Sequence, residues 1–225
     1  MTGIAGNYNH ILERIGDAAR RAGRDPESVQ LVAVTKTVPP DRIREAILCG
    51  VQHIGENRVQ EALAKREALT DVNLTWHFIG HFQTNKAKKV VENFDWVHSV
   101  DRIEAAEALA RHVANRPPLR ILIEVKLEDE PKKSGATEGE LSGLVSALQR
   151  IDTLDLRGLM AVPPPVEDPE QARPFFRRLH QLAKHFGLTE LSMGMTHDFQ
   201  VAVEEGATLV RIGRAVFGPR ESSPT

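Results

Sequence analysis

A chain of 225 residues with 41% hydrophobic and 27% charged side chains can bury a substantial core and cover it. A formal net charge of −2, with Lys and Arg scattered, leaves no basic stripe of the kind that neutralises nucleic-acid phosphates. The single cysteine, Cys49, excludes an internal disulfide and a cysteine-cluster metal site.

The start, Met1 to Asn7, lacks the basic and apolar regions of a signal peptide, and no stretch approaches the ~18 apolar residues of a membrane span. The expected location is the cytoplasm, with no membrane partner.

Residues 4–23 read as a helix, with Ile4, Ile11, Leu12, Ile15, Ala18, Ala19 and Ala22 falling mostly on one face and Gly23 as its stop. The run Val29 to Thr35 is β-branched and continuously apolar, as in a strand buried on both faces. It ends at Lys36, and Pro39 and Pro40 forbid its continuation. Asp41 is the expected cap of the next helix, which runs to Gly50 and holds Cys49 as a helix-end core thiol.

Further short apolar runs follow at 52–55, 74–80, 96–100, 120–127, 156–162, 190–195 and 209–212, making eight candidate strands. Helix-compatible segments separate most of them, at 57–69, 85–93, 102–115, 138–151, 167–187 and 197–205. Strands alternating with helices of this size argue for βαβ units. The competitor is an open doubly wound sheet, but its usual glycine-rich first turn is replaced here by Lys36-Thr37-Val38-Pro39-Pro40. The pattern favours an α/β fold: one (β/α)8 TIM barrel with an extra N-terminal helix. Residues 1–225 are expected to form a single domain, with 221–225 as a loose tail.

The functional face of such a barrel lies at the C-terminal strand ends. Lys36 sits there, where desolvation favours the neutral amine that condenses with an aldehyde. The bland alternative is a lysine that snorkels to water. Lys126 is a rival, although Glu128, Asp129 and Glu130 favour a solvated or salt-bridged role.

Ser192-Met193-Gly194-Met195-Thr196 and Arg211-Ile212-Gly213 each lead from a strand toward a helix, a plan suited to phosphate. Alternatively, the glycines only make tight turns and Thr196 only caps a helix. With Lys36, these elements point to a phosphorylated aldehyde. His77 and His81 have no metal-ligand geometry on a strand and read as core or rim histidines, so no metal is expected.

Several ordered motifs resemble the pyridoxal phosphate homeostasis protein family. They are Leu31 to Thr37, Gly55 to Glu61, Trp76 to Gly80 with Gln83 to Lys86, and Lys133-Ser134-Gly135. Arg157 to Met160, Ser192 to Met195 with Asp198, and Arg211 to Gly213 with Phe217-Gly218 complete the set.

The resemblance implies a barrel like the N-terminal domain of alanine racemase, with pyridoxal 5'-phosphate (PLP) held on Lys36 as a Schiff base. It implies that Ser192, Thr196 and Gly213 hold the phosphate, within a motif that also brings Met195 to the cofactor. It places Arg211 at the pyridine nitrogen and Asn57 beside the ring. Thr196 departs from the family's usual serine but keeps a hydroxyl. Lys126 stands where asparagine is common, His81 and Phe82 fill a variable pair, and the tail lacks a familiar tyrosine.

The family role is intracellular PLP homeostasis without an established catalytic reaction, with PLP-dependent apo-enzymes as prospective partners. A two-base racemase needs a second proton-transfer group, yet the only tyrosine is Tyr8 in the first helix, and no residues are left over for a second domain. The expectation is therefore a monomeric carrier or regulator and not an enzyme. The alternatives are a PLP-dependent racemase or lyase using His77, His81 or Lys126 as second base, and a barrel enzyme forming a Schiff base with a sugar phosphate.

Overall fold

The computed structural model describes residues 3–128 and 134–218. Eight parallel strands close into a barrel in sequence order, with β8 pairing back onto β1. Helix α1 (Ile4–Arg21) precedes β1 (Gln30–Val34), α2 (Pro40–Leu48), β2 (His53–Glu56), α3 (Val59–Ala68), β3 (Thr75–Phe78) and α4 (Ala87–Asn93). Then follow β4 (Trp96–Val100), α5 (Ile103–Val113), β5 (Leu119–Glu124), α6 (Glu138–Leu148), β6 (Leu154–Met160) and α7 (Arg173–His185). The chain closes with β7 (Glu190–Ser192), α8 (Phe199–Glu204), β8 (Leu209–Ile212) and α9 (Arg214–Phe217). The expected barrel with its additional N-terminal helix is what forms.

Strand periodicity divides the core in two. Leu31, Ala33, Ile121, Ile123, Val210 and Ile212 belong to the large cluster between the sheet and its helices. Their strand neighbours Val32, Leu122 and Leu209 join Trp96 and Met160 in a separate cluster inside the barrel. The same alternation turns His53, His77, His98, Ser192 and Arg211 inward, so the lumen is partly polar.

Helix α1 packs against α8, α9 and α2. Tyr8 is buried there and donates its hydroxyl to the carbonyl of Gly50 at 3.2 Å. Cys49 follows α2, half-buried against the core, and donates its thiol to the Glu45 carbonyl.

Several boundaries differ from the sequence reading. Pro39 precedes α2, with Pro40 in its first turn, so Asp41 lies inside the helix and caps nothing. Strand β5 stops at Glu124, and β7 stops at Ser192. Helix α8 starts only at Phe199, because residues 196–198 form a turn. Residue Lys133 and the segment 221–225 lie outside the described residues.

Candidate functional site

Lys36 follows β1 by two residues and keeps the inward parity of Val32 and Val34, where the chain turns. The turn is held from behind. Thr35 faces the helices, and its hydroxyl donates to Glu56 Oε1. Lys65, reaching up from α3, donates to the Thr35 carbonyl at 2.6 Å, to Glu56 Oε1 at 2.6 Å and to Glu61 Oε1 at 2.7 Å. All three ammonium protons are thereby used. Glu61 also accepts the backbone N–H of Thr37, whose φ of 63° is left-handed and strained for a β-branched residue.

The residues on both sides of Lys36 are thus fixed by one buried ion-pair cluster. Burial pushes Glu56 upward, against the hydrogen bonds from Lys65 and Thr35, and its Oε2 has no partner among the described residues. The Lys36 amine itself has no hydrogen-bond or ion-pair partner among the described residues.

Lys36 lines a cleft together with Val34, Gly213, Arg214 and Phe217. The end of β1 and the start of α9 are therefore two walls of one opening. Asn57, half-buried just after β2, is placed by Gly80: a side chain on residue 80 would come within 2.3 Å of the Asn57 carbonyl oxygen. Ser99 pins that region by donating to the Gly80 carbonyl at 2.5 Å.

The loop after β7 is folded by Asp198. Its Oδ1 accepts the Met195 N–H at 2.6 Å, which removes that amide from the set available to a ligand. Gly194 has a φ of 89°, and a Cβ there would lie 2.5 Å from that of Ala202, so only glycine lets the loop sit on α8. Met195 is exposed and Thr196 half-buried at the mouth.

Arg211 is buried and inward. It donates through Nη1 to the Ser192 carbonyl and hydroxyl, both at 2.6 Å, and through Nη2 to the Ala161 carbonyl at 3.0 Å. Burial pushes its guanidinium down to about 10, with Glu124 and Asp198 opposing the shift. The pinned fork leaves Nε with no partner among the described residues.

The structure brings Ser192 and Arg211 into direct contact and puts Lys36 and Gly213 on one cleft. No such contact joins Asn57 and Thr196 to them; each lies at a strand-end loop of the same face.

Sequence reading missed Lys65, whose only trace was the unremarkable charge pattern of α3, and gave no role to Glu56 at the end of β2. It also missed His98, and Glu124, which ends β5 two residues before Lys126, the rival read as solvated or salt-bridged. Glu124 accepts from Ser134, and burial raises its carboxyl. Lys126 lies beyond the strand, where its N–H bonds Ala136.

His77 is fully buried, with both ring nitrogens within 3.0 Å of other imidazoles, which takes it out of consideration as a second base. His81 is exposed, 3.9 Å from Asp101.

The model for the alanine racemase N-terminal domain matches residues 7–221. The pyridoxal phosphate homeostasis protein of Pseudomonas aeruginosa is 45% identical, over 98% of this chain and 97% of its own length. That of Escherichia coli K12 is 41% identical, over 99% of each. The chain belongs to the pyridoxal phosphate homeostasis protein family.

Among solved structures, PipY of Synechococcus elongatus PCC7942 with PLP bound superposes with a TM-score of 0.82 at 40% identity, over 92% of this chain and 100% of that one. Alanine racemase of Corynebacterium glutamicum shares the fold at 19% identity, with a TM-score of 0.69 over 96% of this chain and 61% of that one. The resemblance read from the motifs is therefore correct. Among the described residues, no helix is long and apolar enough to cross a membrane, and no cluster of His, Cys, Asp or Glu could hold a metal ion.

Proposed function

We propose that this homeostasis-family member holds PLP as a Schiff base on Lys36 and serves intracellular PLP homeostasis as a carrier or regulator. The observation that carries the reading is the cleft in which an unpartnered Lys36 shares its walls with Gly213, at the end of a barrel shared at 40% identity with PLP-bound PipY.

The donor set fits the cofactor. Arg211 Nε is the donor left for the ring nitrogen, and Thr196 with the turn at Gly213 offers hydroxyl and backbone donors to the phosphate. Ser192 adds a hydroxyl beside Arg211, Asn57 stands beside the ring, and Met195 contributes at the loop through contacts other than its engaged N–H. When bound, PLP supplies an aldehyde carbon for the amine and a ring that can withdraw electrons.

An arginine donor at the ring nitrogen disfavours its protonation and weakens that electron withdrawal. Tyr8 lies under α2, spent on Gly50, and His77 is spent on its neighbours. This reading therefore assigns no catalytic reaction. It describes residues 1–225 as one cytoplasmic domain acting as a monomer, with PLP-dependent apo-enzymes as recipients.

Borohydride reduction of the protein loaded with PLP, followed by peptide mass mapping, tests it. A pyridoxyl mass on the peptide bearing Lys36, lost in Lys36→Ala, is the expected outcome. Modification of a different lysine overturns the assignment, and amino-acid turnover near 1 per second or faster overturns the carrier role.

A further inference from the structure

Three histidines inside the barrel form a continuous column that ends on the cofactor side. His53 opens β2 at the N-terminal face and is half-buried; its Nδ1 lies 3.0 Å from His77 Nε2. His77 Nδ1 lies 2.9 Å from His98 Nε2, and His98 Nδ1 lies 2.8 Å from Ser192 Oγ. His77 and His98 are wholly buried, and His77 stacks on Trp96 with 5.6 Å between ring centroids.

The groups facing the column are few. Asp95 and Arg120 lie near His53, Arg120 also acts on His77, and Arg211 acts on His98. Glu124 and Asp198 face Arg211 in turn. Burial, with those cations, holds His77 and His98 well below the ordinary imidazole value, so both are neutral.

A neutral imidazole has one N–H and one bare nitrogen, so each gap in the column holds one proton. Only two patterns satisfy every gap. In the first, the Ser192 hydroxyl donates to His98 Nδ1, His98 Nε2–H to His77, and His77 Nε2–H to His53. In the second, every bond is reversed: His53 Nδ1–H donates upward, and His98 Nδ1–H donates to Ser192 Oγ. Arg211, a donor only, suits both patterns. In the second, the Ser192 proton is free to point at an acceptor in the mouth.

We propose that His53, His77 and His98 are positioning residues for the cofactor end. They form a proton path from the N-terminal face that sets whether the Ser192 hydroxyl points into the barrel or out to an anionic ligand oxygen. This rests on the reading that Ser192 meets the cofactor. A proton taken up at His53 Nε2 displaces the one on Nδ1 to His77 Nε2. His77 Nδ1–H passes to His98 Nε2, His98 Nδ1–H passes to Ser192 Oγ, and the Ser192 proton goes to the ligand oxygen. One proton enters below and one leaves above, each histidine ends neutral, and the column returns to the first pattern; while the ligand oxygen stays anionic, the second pattern holds.

The patterns also differ in what they tolerate. A doubly protonated His53 fits the second pattern, because its Nδ1–H then meets a bare nitrogen. In the first, it would face another N–H. Ligand binding and proton uptake at His53 therefore favour the same pattern, and each strengthens the other.

The test uses the full chain labelled with 15N at histidine, with PLP and pyridoxine 5'-phosphate as probes. The latter lacks the aldehyde, so its binding does not report Lys36 chemistry. Adding either is expected to move the His98 N–H from Nε2 to Nδ1. Affinity for pyridoxine 5'-phosphate is expected to weaken up to roughly tenfold as pH rises to about 6.5, the ordinary imidazole value beneath which burial and Arg120 hold His53. His53→Phe should reduce that dependence to whatever the phosphate itself contributes, with PLP still captured on Lys36. His53 lies at the far, half-exposed end, so this variant avoids the folding risk of replacing His77.

A His98 tautomer unmoved by bound ligand, or a pH profile identical in wild type and His53→Phe, overturns the proposal. If neither probe binds at all, the cofactor reading has failed as well, and the Lys36 mass measurement separates the two.

Discussion

Lys65 donates to the carbonyl of Thr35 at 2.6 Å, one residue before the lysine that faces the cleft. A buried cation on α3 thus holds the floor of the turn at the end of β1. Glu61 holds the far side through Thr37, and Glu56 lies beneath. The arrangement restricts where the Lys36 backbone can go while leaving its amine unengaged.

Replacing Lys65 by Met leaves Glu56 buried without its cation. Breaking a buried pair from one side costs about 3–5 kcal/mol, much of it the stranded charge. Lys65→Met is therefore expected to lose stability of that order in urea unfolding. It should also release PLP faster, as a loss of the bound chromophore on dialysis. The double variant Lys65→Met with Glu56→Gln should recover part of the stability but not the retention, because the Thr35 carbonyl still lacks its donor.

Gly80 offers a probe of Asn57 that leaves Asn57 itself unchanged. An added methyl would press on the Asn57 backbone at 2.3 to 2.9 Å, contacts that backbone cannot absorb without moving. Gly80→Ala is expected to cost about 1–3 kcal/mol through overpacking and to weaken PLP binding measured by absorbance titration. Unaltered binding would detach Asn57 from the cofactor.

The barrel was legible because the alternation of apolar runs with helical segments is set by burial on both faces of each strand, a signal that survives in short windows. The stop at Lys36 was legible for a related reason, since two prolines end the strand. The histidine column was not. His53, His77 and His98 each look like an isolated histidine in an apolar strand, and only the parity of three paired strands puts them in line. Lys65 was hidden in the same way. On α3 it is one cation beside Arg66, Glu61 and Glu67, and its burial follows from Glu56 and Thr35 sharing the helix-facing parity. Short strands also misled the reading. Apolar residues 193–195 belong to a loop folded by Asp198, a contact that no periodicity carries.

Thr196 is expected to act through its hydroxyl alone. Thr196→Ser should bind PLP as the wild type does, whereas Thr196→Val, close in shape, should lose roughly tenfold to a hundredfold in affinity, the worth of one hydrogen bond to a charged acceptor. Equilibrium dialysis at several phosphate concentrations checks the site, because the inhibition constant of inorganic phosphate should rise in Thr196→Val by a factor similar to that for PLP. Equal affinities for all three proteins would remove Thr196 from the phosphate contacts.

Acid should unfold this barrel through its histidines. Burial lowers His77 and His98 well below their unfolded value near 6.5, and lowers His53 with help from Arg120. Below that unfolded value the open chain binds protons that the buried His77 and His98 refuse and that His53 takes up only at lower pH. Their contribution is complete above about pH 6.5 and is lost as pH falls beneath it. Each excluded proton adds a slope of up to about 1.4 kcal/mol per pH unit. Glu56 and Glu124 act in the opposite sense, because burial raises them and the folded state gains protons as pH falls through their shifted values. The histidine effect therefore shows most cleanly above the carboxylate range. Urea midpoints between about pH 5 and 7 should rise steeply with pH in the wild type. In His98→Gln the slope should shrink by about one proton, since the amide can still bridge His77 and Ser192 but does not titrate. A slope unchanged by that substitution would mean that His98 takes up its proton in the folded barrel, which the fully buried column does not allow.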